Sequence, residues 1–204
     1  MTFTRSSVIE KATRSKLTSH FGFFFQRWLS NPLAVGSIMP SSPGLCALVQ
    51  KQLGYKSDEI VVEYGPGTGA ITRAILDAGV PAERLYSIEI DPELVKYMTH
   101  EFPEVTVIHG DVRHSDSLIG SSLVGQVGTV IVGIPMVLLP FEQQQEIIAA
   151  IFRILKSGRH FLLFTYCITS PLSMKALHLR GKRLGWTPWN FPPASLWAYE
   201  SANT

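Results

Sequence analysis

The chain has 204 residues, 46% of them hydrophobic, and a net charge of only +2. That length supports one domain with a full core and a peripheral segment or two. Its two cysteines, Cys46 and Cys167, are isolated and fit no metal-ligand spacing, which excludes a cysteine-held metal centre and reads as reduced thiols of a cytosolic protein.

The charge is unevenly spread. Residues 1–56 carry seven Lys/Arg against Glu10 alone, residues 57–150 carry four against fourteen acids, and residues 151–204 carry seven against Glu200. An acidic middle flanked by basic ends points to an anionic partner, either nucleic acid or a membrane surface. Residues 6–30 are predicted helical: Leu17, Phe21, Phe24 and Trp28 fall on one face, with Phe25 beside it, while Lys11, Arg14, Lys16 and Arg27 lie mostly elsewhere. Such a stripe packs on its own domain or lies in the interface of an anionic bilayer, and the weight of aromatics favours the bilayer. The same basic residues interrupt the apolar run, so no signal peptide is expected.

The run Ile60-Val61-Val62-Glu63-Tyr64-Gly65-Pro66-Gly67-Thr68-Gly69-Ala70 is an apolar strand entering an acid and a glycine-spaced turn, with a helical pattern behind it. Glycines there let a ligand lie against the backbone and permit positive φ. A dinucleotide pyrophosphate would be repelled by Glu63, whereas the sulfonium and amine of S-adenosylmethionine are cationic and would be favoured. The run resembles motif I of class I methyltransferases.

Leu85-Tyr86-Ser87-Ile88-Glu89-Ile90-Asp91 is a second strand ending in carboxylates about 20 residues beyond the glycine turn, where an acid accepts ribose hydroxyls. The resemblance assigns that role to Glu89, with Ile90 beside it, and Asp-Pro-Glu at Asp91 reads as the cap of the next helix. A third strand, residues 105–108, ends in Gly110-Asp111-Val112. Asp111 can accept the adenine amine and Val112 can offer a backbone N–H. The uncharged stretch from Leu118 to Phe141 is broken by glycines and prolines and reads as a loop followed by a buried strand, not a membrane span.

Strands at 60–64, 85–89, 105–108, 129–133 and 160–166 alternate with helical segments near 69–79, 92–101 and 141–156. This order predicts an α/β, doubly wound, mostly parallel sheet with ligands at the carboxyl ends of its strands. Beyond Pro192-Pro193, residues 194–199 alternate as an edge strand, which would complete the seven-stranded, Rossmann-like methyltransferase sheet. The expected organisation is a membrane-associating helix at 1–30 and a methyltransferase domain at 31–204.

Residues 31–49, with their Pro40-Ser41-Ser42-Pro43 segment, the glycine turn and the tail Asn190-Phe191-Pro192-Pro193-Ala194 resemble bacterial phospholipid N-methyltransferases of the short soluble type. The resemblance implies that Ser41 lies beside S-adenosylmethionine and that the N-terminal helix docks on membranes. It also implies methylation of phosphatidylethanolamine towards phosphatidylcholine, or of an ornithine lipid in related enzymes, by a cytoplasmic protein peripheral to the inner face of the cell membrane. Backbone carbonyls at Gly133 and Ile134 would orient the amine, and Tyr166 is a candidate wall or hydrogen-bonding group. His178, Arg180, Lys182 and Arg183 read as a basic cluster for the lipid phosphate or as a solvated loop.

Ribosomal RNA adenine dimethyltransferases share the cofactor half, but their fourth motif is close to Asn-Leu-Pro-Tyr, whose amide and ring hold a flipped base. Here Gly133-Ile134-Pro135-Met136 stands in that place, and no separate helical RNA-binding domain is expected. Neither a nucleic-acid partner nor a metal is expected.

Overall fold

A computed structural model describes residues 42–167, 169–189 and 193–202. The helix expected at 6–30 and Ser41 lie outside them. Seven strands form one sheet: β1 (Ile60–Tyr64), β2 (Leu85–Glu89), β3 (Thr106–His109), β4 (Val127–Val132), β5 (Phe161–Thr165), β6 (Leu179–Thr187) and β7 (Ala194–Ser201). Their order across the sheet is β3-β2-β1-β4-β5-β7-β6. Strands β1 to β5 pair in parallel, and β7 runs antiparallel to both its neighbours. β6 therefore points the same way as β1 to β5, and its carboxyl end lies on the same edge of the sheet as theirs.

The α/β, seven-stranded, mostly parallel architecture is the expected one, with one correction. The segment 194–199 is predicted at the edge, but β7 is an inner strand, covered on its far side by β6. β6 reads Leu-Arg-Gly-Lys-Arg-Leu-Gly-Trp-Thr, half of it exposed and bulged between Arg183 and Gly185, so it lacks the apolar run that marks a strand covered on both faces.

Helices cover both sides of the sheet. α1 (Pro43–Gln52), α2 (Ala70–Asp77) and α3 (Pro92–Glu101) pack Leu45, Val49, Ile71, Ile75 and Met98 onto Val61, Leu85, Ile131 and Leu162. Each such side chain, fully buried, contributes about 1.5–3 kcal/mol of transfer free energy. α4 (Ser115–Leu118) and α5 (Phe141–Ile154) lie on the other face. There Phe152 meets Phe161 edge-on, and Phe161 stacks on Tyr199. Local chemistry starts the helices. Ser42 caps α1 by accepting from Leu45 N, and Asp91 caps α3 by accepting from the amides of Glu93 and Leu94.

No helix among the described residues is long and apolar enough to cross a membrane. The uncharged stretch resolves into short turns followed by β4, all six of whose residues are buried.

Candidate functional site

Strand alternation decides which acids reach the glycine turn. In β1 and β2, Val61, Glu63, Leu85, Ser87 and Glu89 share the face covered by α2, while Tyr64 points to the opposite face and donates to Ser115 Oγ at 2.6 Å. Glu63 is only 1% exposed, and its Oε2 accepts from Thr72 Oγ1 at 2.7 Å and Ser87 Oγ at 2.9 Å. One carboxylate thus joins β1, β2 and the first turn of α2 beneath the glycine turn. Burial pushes its pKa up to about 7; the two hydroxyls oppose that rise and the nearby Glu89 adds to it.

Glu89 closes β2 with its carboxylate turned back on the turn. Its Oε1 accepts from the amides of Ile90 at 2.8 Å and Asp91 at 3.0 Å, and its Oε2 lies 3.4 Å from Gly67 N. Burial raises its pKa against those three amides. The glycines divide their work. A Cβ on Gly67, at φ +58°, would meet no atom within 4 Å, so this is the open side of the turn. A Cβ on Gly69, at φ +80°, would run into the Phe102 ring, so this glycine serves the packing of α2 on α3.

The segment after β4 lies directly against this turn. Gly133 N donates to Tyr64 O at 2.8 Å, and a Cβ on Gly133 would stand 2.6 Å from Gly65 O. Gly65 in turn faces the Ile134 side chain. The Ile134 carbonyl already accepts from Met136 N at 2.8 Å. Tyr166 follows β5 on the same edge of the sheet and packs, half-buried, against the core. α1 reaches the site as well: Cys46 Sγ donates to Ala70 O at 3.6 Å.

Asp111 stands at the end of β3, followed by the buried Val112. Its carboxylate is occupied by the Arg113 guanidinium, with Nε at 2.9 Å and Nη2 at 2.6 Å from Oδ2, and Arg113 also holds Glu146. Burial alone would raise the Asp111 pKa, but Arg113 holds it below the ordinary carboxylate range. Thr72, Ser87 and Arg113 were missed in the sequence. A serine inside the apolar run of β2 and a basic residue two positions after Asp111 were the available signals.

Thus Glu63, Gly65, Gly67, Gly69, Glu89, Ile90, Asp111, Val112, Gly133, Ile134 and Tyr166 all stand at the carboxyl edge. The basic residues do not gather there. His178 precedes β6 at the opposite edge, Arg180 pairs with Glu200 at 3.1 Å, and Lys182 and Arg183 point to opposite faces. The expected phosphate cluster is spread along a strand, because consecutive strand residues alternate sides.

Residues 61–158, just under half of the chain, match the methyltransferase domain family. The seven-stranded, mostly parallel sheet around that match has the Rossmann-like fold of class I methyltransferase structures. S-adenosylmethionine is the methyl donor of such proteins, and a structure of this fold, Aeropyrum pernix fibrillarin, holds it natively bound. The fold resembles that of a TehB-like SAM-dependent methyltransferase from Corynebacterium glutamicum, with a TM-score of 0.57 at 15% identity over 90% of this chain and 99% of that one. In sequence, the chain is 28% identical over 144 residues to an ornithine lipid N-methyltransferase of Singulisphaera acidiphila, covering 69% of this chain and 75% of the relative. It is 44% identical over 59 residues to ribosomal RNA small subunit methyltransferase A of Chlorobium chlorochromatii, covering 29% of this chain and 21% of that protein.

Proposed function

We propose that this domain transfers the methyl group of S-adenosylmethionine to the amine of a lipid headgroup at an anionic membrane surface. The observation that carries the reading is the reach of the lipid-methylating relative. That similarity extends over about two thirds of the chain, whereas ribosomal RNA methyltransferases match it over shorter spans of 54 to 97 residues. The segment after β4 supports the same direction. Gly133-Ile134-Pro135-Met136 offers neither the amide nor the ring that would hold a flipped base. The relative favours an ornithine lipid as acceptor, and phosphatidylethanolamine is the second reading, favoured by the resemblance of residues 31–49 and the tail.

The chemistry asked of the protein is mostly alignment. The sulfonium methyl is already activated, so the site must bring an amine lone pair in line with the C–S bond and exclude water. Glu89 would take the ribose hydroxyls and the open side of Gly67 the donor's backbone approach. Glu63 would supply negative charge beneath the sulfonium and amine. The Gly133 carbonyl, and the second lone pair of Ile134, would orient the acceptor. An apolar pocket lowers the pKa of the lipid ammonium and favours the neutral nucleophile.

The test is expression in a bacterium that makes both phosphatidylethanolamine and ornithine lipid, with methyl-labelled methionine and lipid mass spectrometry. Label in either lipid amine supports the reading and names the acceptor. Label confined to ribosomal RNA, as N6-methylated adenine, overturns it.

A further inference from the structure

Five large apolar side chains stand exposed on the edge of the sheet that carries the glycine turn. Val137, Leu138 and Phe141 lie in the segment that leads from β4 into the start of α5, with Val137 51% exposed. Trp186, next to last in β6, is 57% exposed, and Trp189 just beyond the strand is 85% exposed. Because β6 runs with β1 to β5, these two groups share one edge, three strand spacings or about 14 Å apart. Trp186 and Phe141 also share one side of the sheet. Register pairs Arg183 with Trp197 and Trp186 with Ser195, on the face where Phe161 and Tyr199 meet α5, and Phe141 is the first residue of α5. Scattered apolar residues need no explanation, but two tryptophans and three aliphatic or aromatic side chains around one site mouth do.

We infer that this rim is a lipid-docking surface: Trp186, Trp189, Val137, Leu138 and Phe141 enter the interface of an anionic bilayer and hold the carboxyl edge of the sheet against the headgroups. The inference rests on the lipid-amine reading and adds the surface through which the acceptor is reached. Charge argues for a bilayer as the occupant. No acid occurs from residue 117 to 141 or from 147 to 199, while Arg183 lies on the Trp186 side of β6, and Glu142 is the carboxylate next to Phe141. Tryptophan is the side chain that settles at headgroup level, with an apolar body and a polar N–H. The chain also enters the domain at this edge. A Cβ on Gly44 would meet Thr187, the last residue of β6, so Ser42 and the start of α1 stand here, directly after 41 residues with five Lys/Arg and one acid.

The experiment uses the full chain and vesicles of phosphatidylethanolamine and phosphatidylglycerol, some with brominated acyl chains that quench tryptophan on contact. In a Trp28→Phe chain the remaining tryptophans are Trp186, Trp189 and the part-buried Trp197. Bromolipid should quench most of the exposed emission. Adding Trp186→Ala and Trp189→Ala should remove the quenchable fraction and lower vesicle partitioning at least tenfold, with S-adenosylmethionine affinity unchanged. Vesicle binding without quenching, equal partitioning of the variants, or no binding by the full chain each overturns the rim. A change in oligomeric state with partitioning intact would make it a contact between copies and also overturns it. The lipid-amine reading stands or falls separately, on transfer of labelled methyl to a detergent-dispersed lipid amine, which needs no bilayer.

Discussion

Thr72 donates its hydroxyl to Glu63 at 2.7 Å and so ties the first turn of α2 to the end of β1, directly under the glycine turn. The bond places a buried carboxylate, whose pKa burial pushes up to about 7, beneath the turn where the cationic donor is proposed to lie.

Proton release follows from that placement. Between the ordinary carboxylate range and about 7, the folded chain holds a proton on Glu63 that the unfolded chain has lost. This contribution to stability is therefore fully present at acid pH and is lost as pH rises through 7. A cation bound above Glu63 favours the ionised form, so S-adenosylmethionine affinity should climb as pH rises towards 7 and binding should release a proton. Calorimetry in buffers of different ionisation heat reads that proton directly. Glu63→Gln, which keeps an acceptor for Thr72, should abolish the release; a release that persists would assign it to another group.

Glu89 and Asp111 are expected to contribute unequally to cofactor binding. Glu89 faces the turn and is oriented by three amides, so Glu89→Ala should weaken S-adenosylmethionine binding by about 1–3 kcal/mol, the cost of ligand hydroxyls left unpaired. Asp111 must share its carboxylate with Arg113, so Asp111→Ala should cost less, and Arg113→Ala should lower stability more than affinity. Titration calorimetry of the three variants decides, and equal losses at Glu89 and Asp111 would contradict the ordering.

What the sequence made legible follows from what interrupts an apolar run. Glu63, Glu89 and Asp111 stand at or just beyond the ends of three mostly apolar strands, and a charge in such a place marks the carboxyl edge from the order of residues alone. β6 was hidden for the opposite reason: one side of an edge strand faces solvent, so Arg180, Lys182 and Arg183 disguise it as a loop. The partners of the acids were hidden because they depend on register. Ser87 meets Glu63 only because it pairs directly across from it in the neighbouring strand. The glycines look alike in sequence, yet Gly67 leaves space and Gly69 fills a helix contact, a difference set by Phe102 more than 30 positions away.

A third buried acid supports the sheet from its other end. Glu59, 2% exposed, is held by the Arg159 guanidinium and lies 3.4 Å from Lys156. Arg159→Met would strand most of that charge and should destabilise the fold by about 3 kcal/mol, while Glu59→Gln in the same chain should recover part of the loss. Urea denaturation of the single and double variants measures both. Full stability in the single variant would mean that Lys156 alone suffices.

Alanine at the second and third glycines of the turn should separate binding from folding. Both have positive φ, so each substitution forces an L-residue into the left-handed region at roughly 1–2 kcal/mol. At Gly67 nothing else opposes the new methyl, so Gly67→Ala should fold with a modestly lowered melting temperature and lose S-adenosylmethionine affinity, since the methyl occupies the open side of the turn. At Gly69 the methyl also collides with Phe102 and comes within 3.0 Å of Met98 Sδ, so Gly69→Ala should lose more stability than Gly67→Ala. Gly69→Ala with Phe102→Leu makes room for that methyl and should recover part of the difference. Thermal melts with and without S-adenosylmethionine compare the three. If Gly67→Ala binds as the unaltered chain does, the donor does not lie against this turn.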